Sequence, residues 1–350
     1  MKHIIEGKLN PAPPQVKSVV VDEDSAGQRL DNFLLRQLKG VPKTHVYRII
    51  RSGEVRINKG RAGADTRLAA GDVVRLPPVR VSERAAEKAL AMRVESTRAA
   101  PARAFTVLYE DDVLLAIDKP AGVAVHGGSG VSFGVIEQLR MARPEAKFLQ
   151  LVHRLDRETS GCLLIAKRRS ALKHLQDQFR ERETGKTYLA MVRGHWTANR
   201  RVLDQPLIKY LLPDGERRVR LTSKEDPDGM KSVTLVKISG LGAVRTGDRP
   251  GQDSSPCSLL EVTIKTGRTH QIRVHLASAG HPILGDDKYG DFELNKTLMR
   301  GQCGPTLRRM FLHAWRLQFC HPVSGLAMEL VADLPVELQE FVVHALPPVG

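Results

Sequence analysis

Apolar positions in the first quarter of the chain follow a helical spacing and then a strand spacing. The pattern predicts a helix over Asp31–Leu38, a break at Gly40-Val41-Pro42, and a second helix from Lys43 to Ser52 that Gly53 ends. Two short strands are predicted next, Val55–Asn58 and Asp72–Leu76. At about 100° per residue, Val46, Ile49 and Ile50 share one side of the second helix, while Arg48 and Arg51 fall on the other and Lys43 stands at the helix start. One side can pack and the other can meet solvent or an anion.

After Pro77-Pro78 the stretch Val79–Ala104 is rich in Ala, Arg and Glu without a clear apolar period, which reads as a linker. From Phe105 onward the chain carries short apolar runs: Val113–Ile117, Leu163–Ala166, Tyr188–Val192, Ser232–Ile238, Leu259–Ile264 and Met328–Val331. Helical stretches at Val131–Met141 and Ser170–Arg182 lie between some of them, without a strict alternation of strand and helix. The pattern predicts an α+β fold on a mixed, largely antiparallel sheet. The expected layout is an N-terminal extension (1–25), a small α/β domain (26–80), a linker (81–104) and a large domain (105–345). Gly240–Ser258, rich in Gly, Pro, Ser and charge, reads as a long loop between two strands.

Composition adds partners. The 350 residues are 41% hydrophobic and 27% charged, which suits folded domains and excludes a disordered or fibrous chain. A net charge of +15 favours a polyanion, either nucleic acid or an acidic membrane. From Ala26 to Arg80 there are 12 Lys and Arg against 4 Asp and Glu, so +8 of the excess sits in the small domain. Cys162, Cys257, Cys303 and Cys320 form no C-x-x-C pair, the start lacks an apolar signal core, and no apolar run approaches the length of a membrane span. These readings point to a cytoplasmic protein with no membrane partner.

The basic helix leads into Gly53-Glu54-Val55-Arg56-Ile57-Asn58. Together with Arg29-Leu30-Asp31-Asn32-Phe33-Leu34 and Ala70-Gly71-Asp72-Val73-Val74-Arg75-Leu76, this resembles the S4 RNA-binding domain. The resemblance implies that Lys43, Arg48, Arg51 and Arg56 contact RNA phosphates; on the residues alone a plain solvated face remains open.

A second passage carries candidate chemistry. In Leu151-Val152-His153-Arg154-Leu155-Asp156-Arg157-Glu158-Thr159-Ser160-Gly161, a polar cluster interrupts two apolar runs, so Asp156 is expected at a strand end or turn, presented rather than buried. Such an Asp is either a backbone cap or a functional carboxylate. The H-R-L-D-x-x-T-S-G pattern resembles the signature of the RluA family of RNA pseudouridine synthases. The resemblance extends to Asp118-Lys119-Pro120-Ala121-Gly122, Lys186-Thr187-Tyr188-Leu189-Ala190, Thr266-Gly267-Arg268-Thr269-His270-Gln271-Ile272-Arg273-Val274-His275, Gly280-His281-Pro282-Ile283-Leu284-Gly285-Asp286 and Leu312-His313-Ala314, in order over about two thirds of the chain.

The resemblance implies isomerisation of specific uridines, three of them, in 23S ribosomal RNA, with 23S RNA or a large-subunit assembly intermediate as partner. Asp156 is then the nucleophile, Arg268 its basic partner, Tyr188 the aromatic that stacks on the flipped uracil and helps remove its C5 proton, and Arg154 the residue that fills the vacated stack. The residues themselves leave Tyr188 open as core, Arg154 as a partner of Glu158 and Arg268 as a loop cap. A tRNA-specific synthase and a noncatalytic ribosome-assembly factor are the other readings. His270, His275 and His281 do not converge on one ion as either helix or strand. No cofactor loop is recognised, so the expectation is no cofactor, no metal and a monomer.

Overall fold

The computed structural model describes residues 15–22, 25–38, 41–79, 105–127, 133–199, 201–213, 215–247, 253–301, 304 and 306–346. They divide into two compact units, within Met1–Pro101 and Ala102–Gly350. The expected linker lies outside the described residues.

In the first unit, α1 (Leu30–Gln37) and α2 (Lys43–Arg51) pack on a three-stranded antiparallel sheet. Its order is β1 (Lys17–Val20), β3 (Val73–Leu76), β2 (Arg56–Ile57). Leu30, Phe33 and Leu34 of α1 meet Val46, Ile49 and Ile50 of α2 in one core with Val55, Leu68 and Val74. The Tyr47 hydroxyl donates to buried Asp31, tying the helices, and the Arg29 guanidinium beside that carboxyl holds it below the usual carboxylate range. Gly53 takes φ +75°, the left-handed conformation that ends α2. Strand β1 corrects the expectation of a plain extension over 1–25. Lys17 to Val20 pair with Leu76 to Val73, and Val21 is fully buried, because this edge of the sheet needs an apolar partner.

The second unit is built on a ten-stranded sheet. Its main path runs β4 (Thr106–Glu110), β5 (Leu114–Lys119), β7 (Ser160–Ala166), β14 (Leu312–Cys320), β8 (Gly185–Arg193), β13 (Ser254–Ile264), β12 (Val233–Arg245), β9 (Val202–Asp204). Strands β6 (Gln150–Leu151) and β15 (Ala327–Val331) pair with β7 and β14. Only β7 with β14 is parallel; the remaining pairs are antiparallel, as the pattern predicted.

Strands β5 and β7 are buried on both faces, which explains their continuous apolar runs. Alternate residues go to opposite sides. Leu115, Ile117, Leu163 and Ile165 pack with Val135, Ile136 and Leu139 of α3 (Val135–Ala142). Leu114, Ala116, Cys162 and Leu164 pack with Ala171 and Leu175 of α4 (Arg169–Glu181). A third cluster joins β8, β13 and β14 to α5 (Gln271–Ser278), α6 (Phe292–Arg300) and α7 (Val336–Ala345). A separate hairpin, β10 (Leu207–Leu211) with β11 (Arg217–Leu221), packs Leu207 and Val219 on Val274 of α5.

Three glycines set close approaches. Gly161 has φ +108°, and a Cβ there would run into the Ala314 carbonyl, so the parallel contact of β7 with β14 requires glycine. The expected loop over Gly240–Ser258 is corrected by β12 and β13, which stay paired out to Arg245 and Ser254. Gly240 and Gly242 mark not a loop but the place where the end of α7 lies on the strand. A Cβ on Gly242 would run into the Ala345 carbonyl, and one on Gly240 would lie 2.8 Å from a Leu346 methyl.

Candidate active site

Asp156 lies in the turn that joins β6 to β7, with its side chain 29% exposed, presented as expected. The turn is fixed at several points. The Thr159 amide donates to the Asp156 carbonyl at 3.2 Å. Lys119, fully buried at the end of β5, donates to the carbonyls of Pro120 and Val123 at 2.8 Å and of Arg157 at 3.0 Å. Arg309 donates to Ser160 Oγ at 2.7 Å, and Arg157 to the Gly122 carbonyl at 3.0 Å. His153 accepts from the Leu164 amide at 3.1 Å and stacks on Phe179 with centroids 4.8 Å apart. Burial, with Lys186 nearby, pushes its pKa down to about 3, so the ring stays neutral.

The second wall comes from the segment between β13 and α5. His270 begins the helix in a left-handed conformation, φ 52°. Gln271 locks the segment: its Oε1 accepts from Thr266 and the Arg268 amide, and its Nε2 donates to the Val233 carbonyl and Thr234. His275 is buried and bonds with Thr234, Ser232 and the Gln205 carbonyl, so it is structural. Among the described residues no group of three His, Cys, Asp or Glu is placed to hold a metal.

The guanidinium that faces Asp156 belongs to Arg273, with Nη1 3.7 Å from Asp156 Oδ2. Arg273 is 3% exposed and grips Asp286 with two bonds of 2.8 and 2.7 Å, while its Nη2 reaches Asp287 at 2.9 Å. Burial alone would lower its pKa, but the bonds and charge of Asp286 and the charge of Asp156 outweigh it and raise the value. This corrects the expectation for Arg268. That residue lies before the helix, exposed, and its Nε donates to the Lys231 carbonyl at 3.3 Å. It lines the same recess but does not pair with Asp156. Position 273 lies in the first turn of α5, where the helix aims it inward, and its polar head sits within the buried stretch Gln271–Leu276. A charged residue inside the apolar alternation Ile272, Val274, Leu276 was the available signal, because a buried arginine needs carboxylate partners.

His270 Nε2 lies 4.0 Å from Asp156 Oδ2, and its Nδ1 is 2.9 Å from the Tyr289 hydroxyl. That hydroxyl accepts from the Val219 amide at 3.0 Å, so its own proton finds an acceptor in Nδ1 and leaves the Nε2 proton facing Asp156. Burial lowers the His270 pKa, against the opposing charge of Asp156, and favours this neutral form.

The result is a cleft of about 630 Å³ beside Asp156, lined also by Arg154, Arg157, Arg268, His270 and Lys288. It adjoins a recess of about 90 Å³ where Tyr188 on β8 joins Asp156, Arg154, Arg268 and Arg273. Tyr188 packs against two hydrophobic clusters, so its core reading and its place at the recess are both true. Burial, reinforced by the Asp156 charge, raises its pKa and keeps the phenol protonated. Arg154 is exposed and pairs with no carboxylate among the described residues; Glu158 bridges to Arg157 instead.

In the first unit Lys43, Arg48 and Arg51 are exposed on α2 and Arg56 is half-buried on β2. None of the four is ion-paired among the described residues; Arg48 touches His45, and Arg51 donates to the Tyr47 carbonyl.

Comparison with known proteins fits both units. Residues 113–278 match the RNA pseudouridylate synthase family, and residues 28–74 match the S4 domain. Ribosomal large subunit pseudouridine synthase C of Escherichia coli (strain K12) is 50% identical over 92% of this chain and 94% of its own length. The protein of the same name from Pasteurella multocida (strain Pm70) is 46% identical over 93% of this chain and 92% of its own. Among solved structures, human RNA pseudouridylate synthase domain containing 1 superposes with a TM-score of 0.54 at 25% identity, covering 67% of this chain and 86% of that one. Carrying the Asp156 turn and the buried Arg273 on this sheet, behind an S4 domain, the chain belongs to the RNA pseudouridine synthase family.

Proposed function

We propose that this enzyme converts specific uridines of large-subunit ribosomal RNA, three of them in 23S RNA, to pseudouridine in the cytoplasm, with Asp156 as nucleophile. The names of the relatives supply the substrate class. The observation that carries the mechanism is the Asp156 carboxylate beside the buried guanidinium of Arg273, next to a recess walled by Tyr188.

The reaction breaks the bond from uracil N1 to ribose C1′ and makes one from C5 to C1′; the C5 proton is lost and N1 gains one, so no atom is added overall. The target base must leave the RNA stack, which costs a few kcal/mol. Arg154, exposed and unpaired at the rim, fills the vacated space and meets phosphate. Asp156 attacks as the carboxylate, at C1′ or at C6 of the base; both routes need the anion. Arg273 favours that anion and, anchored on Asp286, holds it in line. Tyr188 offers a ring face, worth about 1 to 3 kcal/mol in stacking. Its raised pKa keeps the phenol protonated at neutral pH, and its ring face holds the base.

The test is pseudouridine mapping of 23S RNA and tRNA from a strain lacking the gene, complemented with wild type or Asp156→Ala. Sites lost from 23S RNA should return with wild type only. Return of the sites with Asp156→Ala, or losses confined to tRNA, would overturn the reading.

A further inference from the structure

A second cleft of about 500 Å³ adjoins the recess and shares Arg154, Tyr188 and Arg268 with it. Its volume falls in the range of about 300 to 1,000 Å³ typical of ligand sites. The charges lining the two clefts differ. Beside the nucleophile, Asp156, Glu158 and Asp287 are set among the cations. The second cleft has Arg154, Arg180, Arg182, Lys186 and Arg268 in its walls and no carboxylate. Arg180 is neutralised by Asp177 at 2.6 Å, but Arg154, Arg182 and Lys186 have no acidic partner among the described residues.

Lys186 is 8% exposed, so its ammonium has little water. It donates to Thr184 Oγ1 at 3.0 Å and lies 5.3 Å from the Phe179 ring centroid. An ammonium has three protons to donate, and one hydroxyl accepts only one of them. Burial, together with the neighbouring cations Lys265 and Arg182, lowers its pKa. An anion placed here would remove that penalty.

Arg182 adds an independent sign. It holds φ 65° at the end of α4, a backbone that glycine adopts freely and that costs other residues energy. Its amide closes the helix on the Gln178 carbonyl, which glycine would do as well. The side chain therefore stands at a position where the helix alone would favour glycine.

We infer that this cleft binds the RNA backbone next to the flipped uridine, seating a phosphodiester on Arg182 and Lys186. The inference rests on the proposed function for the identity of the polymer. It extends that reading by giving the strand a path past Arg154 and Arg268, away from the nucleophile.

The experiment compares full-length wild type with Arg182→Gly, Arg182→Lys and Lys237→Gln, an exposed control on β12 paired with Glu261. Binding of a short oligouridylate is followed by fluorescence anisotropy across a salt series, alongside thermal unfolding and pseudouridine formation on 23S RNA. Arg182→Gly should unfold at or above the wild-type temperature, because glycine suits the backbone. It should bind about tenfold more weakly, with a salt slope shallower by about 0.7. Arg182→Lys should keep the slope, and Lys237→Gln should match wild type. Wild-type affinity and slope in Arg182→Gly would overturn the inference. If wild type forms no pseudouridine, the proposed reaction fails, while the binding result still decides the cleft.

Discussion

The S4 unit and the synthase unit both hold cations at their surfaces, but they assemble them differently. On α2 the exposed cations lie within nine consecutive residues, and helical spacing places two of them: Val46, Ile49 and Ile50 go inward, so Arg48 and Arg51 go outward, while Lys43 is exposed as the residue that opens the helix. Among the described residues no carboxylate pairs with them. At Asp156 the polar groups arrive from the ends of β5 and β6, from β8, from the first turn of α5 and from Asp286, with Lys119 held by three carbonyls and Arg273 by Asp286. A surface for phosphate needs charge and reach, whereas a site for covalent chemistry needs one oxygen held in one place.

Four perturbations sharpen that contrast, the largest first. Asp156→Ala, which removes the proposed nucleophile, should reduce turnover by about 10⁴-fold or more while RNA affinity measured by filter binding changes little, since one carboxylate offers little contact area. Next, Arg273→Met should cost about 3 to 5 kcal/mol in urea unfolding, because Asp286 is left buried and unpaired, whereas Arg268→Met should cost under about 0.5 kcal/mol. Equal effects of the two would break the assignment of the buried partner.

The third is acid. Burial holds His153 neutral down to about pH 3 and, against the hydrogen bond to the Ala332 carbonyl, which favours the charged ring, holds His313 neutral down to about pH 4. Unfolded histidine takes a proton near pH 6.5, so below that value protons bind the unfolded chain preferentially and stability falls until the folded pKa values are reached. The synthase transition in calorimetry should lose roughly 3 kcal/mol between pH 7 and 5. The S4 transition should move less, because no histidine is buried among its described residues. The smallest effect is expected on α2: replacing Lys43, Arg48 and Arg51 by Gln should raise KM for RNA and flatten the salt slope of binding by about 2.

The sequence made some parts legible for physical reasons. β5 and β7 stood out because burial on both faces demands unbroken apolar runs, and α2 because one face is apolar and the other basic. α5 gave no such signal. All of Gln271 to Leu276 are buried, so there is no polar face to set its period, and three of the six are polar residues satisfied by distant partners. For that reason the sequence does not tell Arg268 from Arg273: five positions apart in one motif, they are separated only by the fold, which sends one to the surface and the other onto Asp286. Strand β14, central in the sheet, was passed over because its charged and polar positions Arg316 and Gln318 interrupt the apolar run, although they alternate with buried Leu317 and Phe319. The glycines of β12 were read as a loop because a sequence does not show that another helix end lies on them.

Gly161 bears on how variants of this enzyme would be interpreted in genetic data. It takes no part in the chemistry, yet any side chain there would force β7 from β14 five residues after Asp156. A missense change at that codon would therefore have the phenotype of a dead nucleophile. Measuring how much folded protein accumulates would tell the two lesions apart.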